Sequence, residues 1–174
     1  MTSHLLIVAG ESSGERYGAD VVDEVRRSRP DLRFFGIGGR RMAQAGVDVL
    51  FPIEEMSAVG IFEVVTRLPH FGRIFRAVEK EVAARRPAAA LLIDSPDFNL
   101  RLARKLKASG VPVLYYISPT VWAWRPGRLK AIRDAVDRML LIFPFEQKIY
   151  DDAGVPASFV GHPLVDKVTV RLGR

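Results

Sequence analysis

Seven short, predominantly apolar runs punctuate this chain, and most are unbroken at their centres: "HLLIVAG", "LRFFGIGG", "VDVLF", "AAALLID", "VPVLYYIS", "DRMLLIF" and "ASFVGHP". A strand with one wet face alternates apolar and polar residues. A run without polar interruption must be covered on both faces, which is the condition of a strand inside a parallel sheet. Between the runs lie stretches with helical spacing. In "GERYGADVVDEVRRSRP", Tyr17, Val21 and Val25 recur every four residues until Pro30 stops the pattern. "RRMAQAG" reads as a short helix closed by Gly46, and "DFNLRLARKLKASG", "RPGRLKAIRDAV" and "PFEQKIYDDAG" as three more. Strands alternating with helices predict an α/β fold, a doubly wound and mostly parallel Rossmann-like sheet. The 174 residues suit one domain. In such sheets ligands bind outside the carboxyl ends of the strands, so functional residues are expected just after each apolar run.

Composition removes several alternatives. Hydrophobic residues make up 48% of the chain, enough for a core and too many for disorder. There is no cysteine, hence no disulfide framework and no thiolate metal site, which fits a reducing compartment. His4, His70 and His162 are scattered without zinc-site spacing, so no metal is expected. "MTSHLLIVAG" is too short and too lightly flanked for a signal peptide, and no apolar run approaches the roughly 20 residues that span a bilayer. The net charge of +6 is unevenly placed: Arg101 to Arg138 holds nine Lys/Arg against two Asp/Glu. Such a segment attracts nucleic acid, anionic lipid or a phosphorylated substrate, or is simply a solvated helix face. Interleaved acids elsewhere and the lack of any RNA-binding motif argue against nucleic acid.

The strand ends carry the candidate chemistry. The first run leads into "AGESSGE", where a dinucleotide fingerprint would read Gly-x-Gly-x-x-Gly. Only Gly10 and Gly14 are present, with Glu11 between them. A carboxylate beside a phosphate is unfavourable, which disfavours a nucleotide-dependent dehydrogenase. Glu11 and the hydroxyls of Ser12 and Ser13 suit a polyhydroxylated ligand such as a sugar. The same residues also make an ordinary helix start, with Ser12 or Ser13 as N-cap and Glu15 in the first turn. The fourth run ends in "LLIDSPDFN". Asp94, its last residue, points into the crevice on this reading, where a partly dry carboxylate gains a raised pKa and works as a general base. Its alternative is N-capping, because Ser95-Pro96 leads into a helix. Asp97 fits the first turn of that helix, and Asn99 either caps or holds a ligand hydroxyl. The fifth run ends in "SPTVWAWRPGR", where Trp124, Arg125 and Arg128 either stack on a ring and bind phosphate or form a packed loop. His162, in "FVGHP", is expected at the same edge.

The stretch between the third and fourth runs, at about 57–86, is longer than a simple crossover. Its apolar residues include Phe62, Val65, Leu68, Phe71 and Phe75, interleaved with Arg67, Arg73, Arg76 and Lys80. Apolar groups mixed with cations suit a helix lying on an anionic membrane surface, whereas a crossover helix packed on the sheet needs one apolar stripe. Residues 59–75 carry more than one stripe, so membrane contact is expected here, with core packing the competing reading.

Taken together, "VAGESSGE", "FFGIGGRRMAQAG", "GIFEVVTRLP", "LLIDSPDFNLRLARKLK", "YYISPTVWAWRPGR", "LIFPFEQKIY" and "FVGHPLVD" resemble the lipid-A-disaccharide synthase family, in that family's order and over almost the whole chain. The resemblance implies the N-terminal, acceptor-side domain of an inverting B-type glycosyltransferase. Such an enzyme joins UDP-2,3-diacylglucosamine to 2,3-diacylglucosamine 1-phosphate, giving the β-1,6-linked lipid A disaccharide phosphate and UDP. It further implies Asp94 as general base, Glu11 and Ser13 as functional polar residues near the substrate, and Phe62 to Phe75 as a membrane-facing patch; Gly10, Asn99, Trp124 and Arg125 are added as candidate substrate contacts from their place at the strand ends. Neither a metal nor an organic cofactor is implied. The expected setting is cytoplasmic, peripheral on the inner membrane. Two departures stand out. The family usually has Gly-Asp where this chain has Gly14-Glu15, and it runs to about twice this length, its second half supplying most of the UDP site. The whole of 1–174 is therefore expected to be one domain, inactive without a C-terminal UDP-sugar domain; the alternative is a catalytically silent lipid- or membrane-binding module.

Overall fold

A computed structural model describes residues 3–57, 68–119 and 127–165, of which 56, 57 and 68–70 are described for the backbone alone. All seven apolar runs form strands: β1 (His4–Ala9), β2 (Arg33–Gly38), β3 (Val47–Pro52), β4 (Ala89–Ile93), β5 (Val113–Tyr116), β6 (Arg138–Leu141) and β7 (Ala157–Phe159). They join one sheet in the order β3-β2-β1-β4-β5-β6-β7, and every pairing is parallel. The described helices are α1 (Ser12–Ser28), α2 (Arg40–Gln44), α3 (Glu54–Ser57), α4 (Leu68–Arg85), α5 (Pro96–Ala108), α6 (Gly127–Ala135) and α7 (Glu146–Asp152).

The central runs pack as their pattern requires, while the edge strands β3 and β7 stay partly exposed. Along β1, Leu6 and Val8 enter one core layer while Ile7 and Ala9 enter the other. The first layer joins them to Ile74, Val78 and Val82 of α4 and to Leu102 and Leu106 of α5. The second joins them to Ala19 and Val22 of α1 and to Met42 of α2. Gly36 lets β2 lie close to β1: with φ at +152°, a Cβ there would fall 1.9 Å from the Ile7 carbonyl oxygen.

The chain lays β2 and β3 on one side of β1, then returns to lay β4 on the other, with Leu5 beside Ala89 and Ala9 beside Ile93. In parallel sheets such a reversal opens a crevice at the carboxyl ends of the flanking strands, which here are β1 and β4.

Three expectations change. The helix after β1 begins at Ser12, so Glu11, not Ser12 or Ser13, holds the N-cap position, and it makes no side-chain cap. Glu11 is extended there (φ −142°, ψ 158°), and its carbonyl accepts the Glu15 N–H at 2.9 Å. The 57–86 stretch resolves in part as an ordinary crossover. In α4, Ile74, Val78 and Val82 recur every four residues and are buried on the sheet, each contributing about 1.5–3 kcal/mol. Phe71 and Phe75, expected at a membrane, are partly buried against Phe98 of α5, with ring centroids 5.9 and 4.6 Å away. Each ring thus gives part of its surface to a core aromatic. Phe62 and Val65, and the Leu68 side chain, lie outside the described residues. Thirdly, Asp94 stands one residue beyond β4, and Ser95 occupies the N-cap position of α5. Among the described residues no helix is long and apolar enough to cross a membrane.

Candidate active site

The crevice is lined by the segments that leave β1 and β4. Gly10 is buried, and a Cβ on it would fall 2.3 Å from Ser95 Oγ, so its bare backbone is what lets the Ser95 side chain lie across the mouth. Three residues without the freedom of glycine take left-handed conformations at the ends of β4 and β5: Asp94 (φ 51°), Ser95 (φ 45°) and Ile117 (φ 68°). Such conformations each cost on the order of 1–3 kcal/mol and collect at functional sites. At a β-branched residue such as Ile117 they are rarer still.

Hydrogen bonds hold the Asp94 turn from beneath. The Asp94 carbonyl accepts from Tyr115 Oη at 2.5 Å and from Asn99 Nδ2 at 2.7 Å. Asn99 Nδ2 also donates to the Ile93 carbonyl at 3.1 Å. The Asp94 N–H donates to the Tyr116 carbonyl at 3.1 Å, and the Asn99 N–H to the Ser95 carbonyl at 3.0 Å. Tyr115 and Asn99 are both fully buried. Asn99 therefore lies under the rim, where it grips the peptide, rather than on it among ligand hydroxyls.

The side chain of Asp94 is half-buried at the crevice, and burial raises its pKa against the opposing pull of the Ser95 N–H. Glu11, exposed across the mouth, has its pKa raised by desolvation first and by the Asp94 charge second. Two carboxyl groups of raised pKa facing one cleft are the arrangement expected of acid–base chemistry. Ser13 is exposed in the first turn of α1 beside them. Glu15 turns away: its Oε1 accepts the Arg41 N–H at 2.7 Å and so caps α2. Gly39 stands directly under this carboxylate, where a Cβ would lie 2.5 Å from Oε1.

Beyond the turn, a shallow hollow of about 490 Å³ lies between α5 and α6, lined by Asp97, Leu100, Arg101, Arg104 and Arg128 among others. Arg128 Nη2 donates to Asp97 Oδ1 at 2.7 Å. Trp124 and Arg125 lie outside the described residues. His162 is occupied locally: its Nδ1 accepts the Leu164 N–H at 3.2 Å, and its ring centroid lies 5.6 Å from that of Phe143. At the ends of β5 and β6, Ser118 Oγ and Tyr150 Oη are 2.7 Å apart in a buried cluster with Glu146. Among the described residues no three His, Asp or Glu side chains converge to hold a metal.

Tyr115 was not singled out from sequence. Its signal was present, since a tyrosine inside an apolar strand brings a hydroxyl that needs a buried partner.

The fold at this rim is that of one half of a B-type glycosyltransferase. A UGT transferase of Siraitia grosvenorii, solved in complex with UDP, superposes with a TM-score of 0.60 at 13% identity, over 91% of this chain and 51% of that one. MurG of Acinetobacter baumannii superposes with a TM-score of 0.55 at 9% identity, over 82% of this chain and 41% of that one. In sequence, the family described as lipid-A-disaccharide synthetase matches residues 5–172. The chain belongs to the lipid-A-disaccharide synthase family. It is 52% identical over 164 residues to the lipid-A-disaccharide synthase of Myxococcus xanthus, covering 94% of this chain and 43% of that protein. It is 52% identical over 174 residues to that of Geobacter sulfurreducens, covering 99% and 45%. The chain thus spans less than half the length of these curated relatives.

Proposed function

We propose that this chain forms the acceptor side of an inverting glycosyltransferase that makes the lipid A disaccharide. The donor is UDP-2,3-diacylglucosamine and the acceptor 2,3-diacylglucosamine 1-phosphate. Asp94 takes the proton from the acceptor 6-hydroxyl as that oxygen attacks the anomeric carbon in line. The bond to the UDP oxygen breaks, and UDP leaves with the electron pair. Glu11 and Ser13 receive sugar hydroxyls, with Gly10 providing close backbone approach. Trp124 and Arg125 contact substrate from the stretch that follows β5 in sequence, and the remaining length of the relatives supplies the UDP-sugar site. Phe62, Val65 and Leu68 contact the inner membrane from the cytoplasmic side, giving both acylated substrates a path to the crevice.

One observation carries this reading: a half-buried carboxyl of raised pKa stands on a strained turn at the point where the sheet order reverses. The test is Asp94→Asn in the full-length enzyme, with both lipid substrates in detergent. Removing a general base is expected to lower kcat by about 10²–10⁴-fold with KM little changed. In the parent, kcat/KM should rise with pH along a limb displaced above the ordinary carboxylate range, because burial raises the Asp94 pKa. Retention of full turnover by Asp94→Asn would exclude the assignment.

A further inference from the structure

Nothing in the reaction itself calls on Tyr115 or Asn99, yet their hydrogen bonds converge on one atom. The Asp94 carbonyl oxygen takes a hydroxyl at 2.5 Å and an amide N–H at 2.7 Å, both from fully buried side chains. Two further bonds bracket the same peptide: Asp94 N–H to the Tyr116 carbonyl, and Asn99 N–H to the Ser95 carbonyl. The peptide so gripped links two consecutive non-glycine residues in left-handed conformation, at φ 51° and 45°. Free of outside bonds, such a pair relaxes to negative φ. That rotation would swing the Asp94 side chain away from Glu11.

Asn99 shows a second sign of this role. Its Oδ1 is buried without a hydrogen-bond partner among the described residues, while both its donor bonds are used on the strand exit. An orphan buried acceptor is unfavourable and persists where the other end of the group is needed.

We propose that Tyr115 and Asn99 are positioning residues: their donors clamp the Asp94 carbonyl, hold the Asp94–Ser95 turn left-handed, and thereby keep the carboxylate over the crevice. This rests on the reading of Asp94 as the base, and it assigns Tyr115 and Asn99 no contact with substrate.

The test uses the full-length enzyme. Tyr115→Phe removes one oxygen and keeps the ring in the core. Losing one clamp bond is expected to lower kcat about tenfold, with KM held within about twofold. Adding Ser95→Gly removes the strain at one of the two turn residues. The Tyr115→Phe/Ser95→Gly double variant is therefore expected to recover kcat to within about threefold of the parent. Loss through core packing alone would give no such recovery. Asn99→Leu, close in size but without donors, is expected to cost more than Tyr115→Phe, and it carries the same comparison with Ser95→Gly if Tyr115→Phe does not fold. Unchanged kcat in Tyr115→Phe, or a loss that Ser95→Gly fails to reverse, overturns the proposal. Asp94→Asn separates the two ideas. If that variant keeps its turnover, the base assignment falls, and the clamp is then judged on structure: a Tyr115→Phe crystal structure with Asp94 at negative φ supports it, and one with φ unchanged overturns it.

Discussion

Glu146 illustrates how one carboxyl bears on stability without touching the crevice. It is 2% exposed, and its Oε2 has no hydrogen-bond partner among the described residues. Desolvation raises its pKa above the ordinary glutamate value of 4.5, and the bonds from Ser118 and the Phe143 region only partly oppose this. A raised folded-state pKa makes the stabilising contribution complete below the unfolded value and lost as pH rises through the folded one. Glu146→Gln is neutral at every pH. It should therefore be more stable than the parent at pH 7, with the gap closing below about pH 4.5; urea denaturation at pH 4 and pH 7 measures both ends. A parent as stable as the variant at pH 7 would contradict the desolvation argument. Residues of this kind were the least legible from sequence. Asn99, read as a ligand contact or cap, instead satisfies two backbone carbonyls, because a polar side chain after a strand serves either purpose equally well on paper. The left-handed Asp94 and Ser95 carry little signature, since neither is glycine and the bonds that hold the turn come from Tyr115, Tyr116 and Asn99, on separate elements.

Elements were far more legible, for a reason that lies in periodicity. A strand buried on both faces announces itself as an unbroken apolar run, and each of the seven runs became a strand. The stretch feeding α4 was harder because its apolar residues serve two targets: Ile74, Val78 and Val82 face the sheet, while Phe71 and Phe75 lean on Phe98 of the neighbouring helix. Two stripes on one helix look like a membrane face when the second helix is not yet in view. The two stripes should respond unequally to truncation. Ile74→Ala, at a fully buried site, is expected to destabilise the fold by about 2–5 kcal/mol. Phe71→Ala, at a partly buried one, should cost clearly less, and thermal melts of the two variants make the comparison. Equal losses would place Phe71 as deep in the core as Ile74.

At the scale of the whole molecule, the parallel, doubly wound character of the sheet followed from alternation alone, whereas the strand order, with its reversal between β1 and β4, did not, because apolar runs do not say which strands become neighbours. Activity is a separate matter, because the chain spans 43–45% of the curated relatives. An anionic pyrophosphate needs amides and cations around it, and this crevice presents Glu11 and Asp94. A polypeptide of these 174 residues, given both lipid substrates in detergent, is expected to release no UDP. Sustained release at the rate of a full-length relative would show that the acceptor half also binds the donor.

The neighbouring of β1 and β4 has a kinetic consequence. Leu5 meets Ala89 only after the chain has closed a loop that contains β2, β3 and α4. Long-range closure of this kind is slow and entropically costly compared with a hairpin. Glu11 and Asp94 ride on opposite sides of that seam, so a refolding chain can regain its helices early and still lack the two acids as neighbours. Recovery of the carboxyl pair is then a late event, and its appearance times the completion of the sheet's centre.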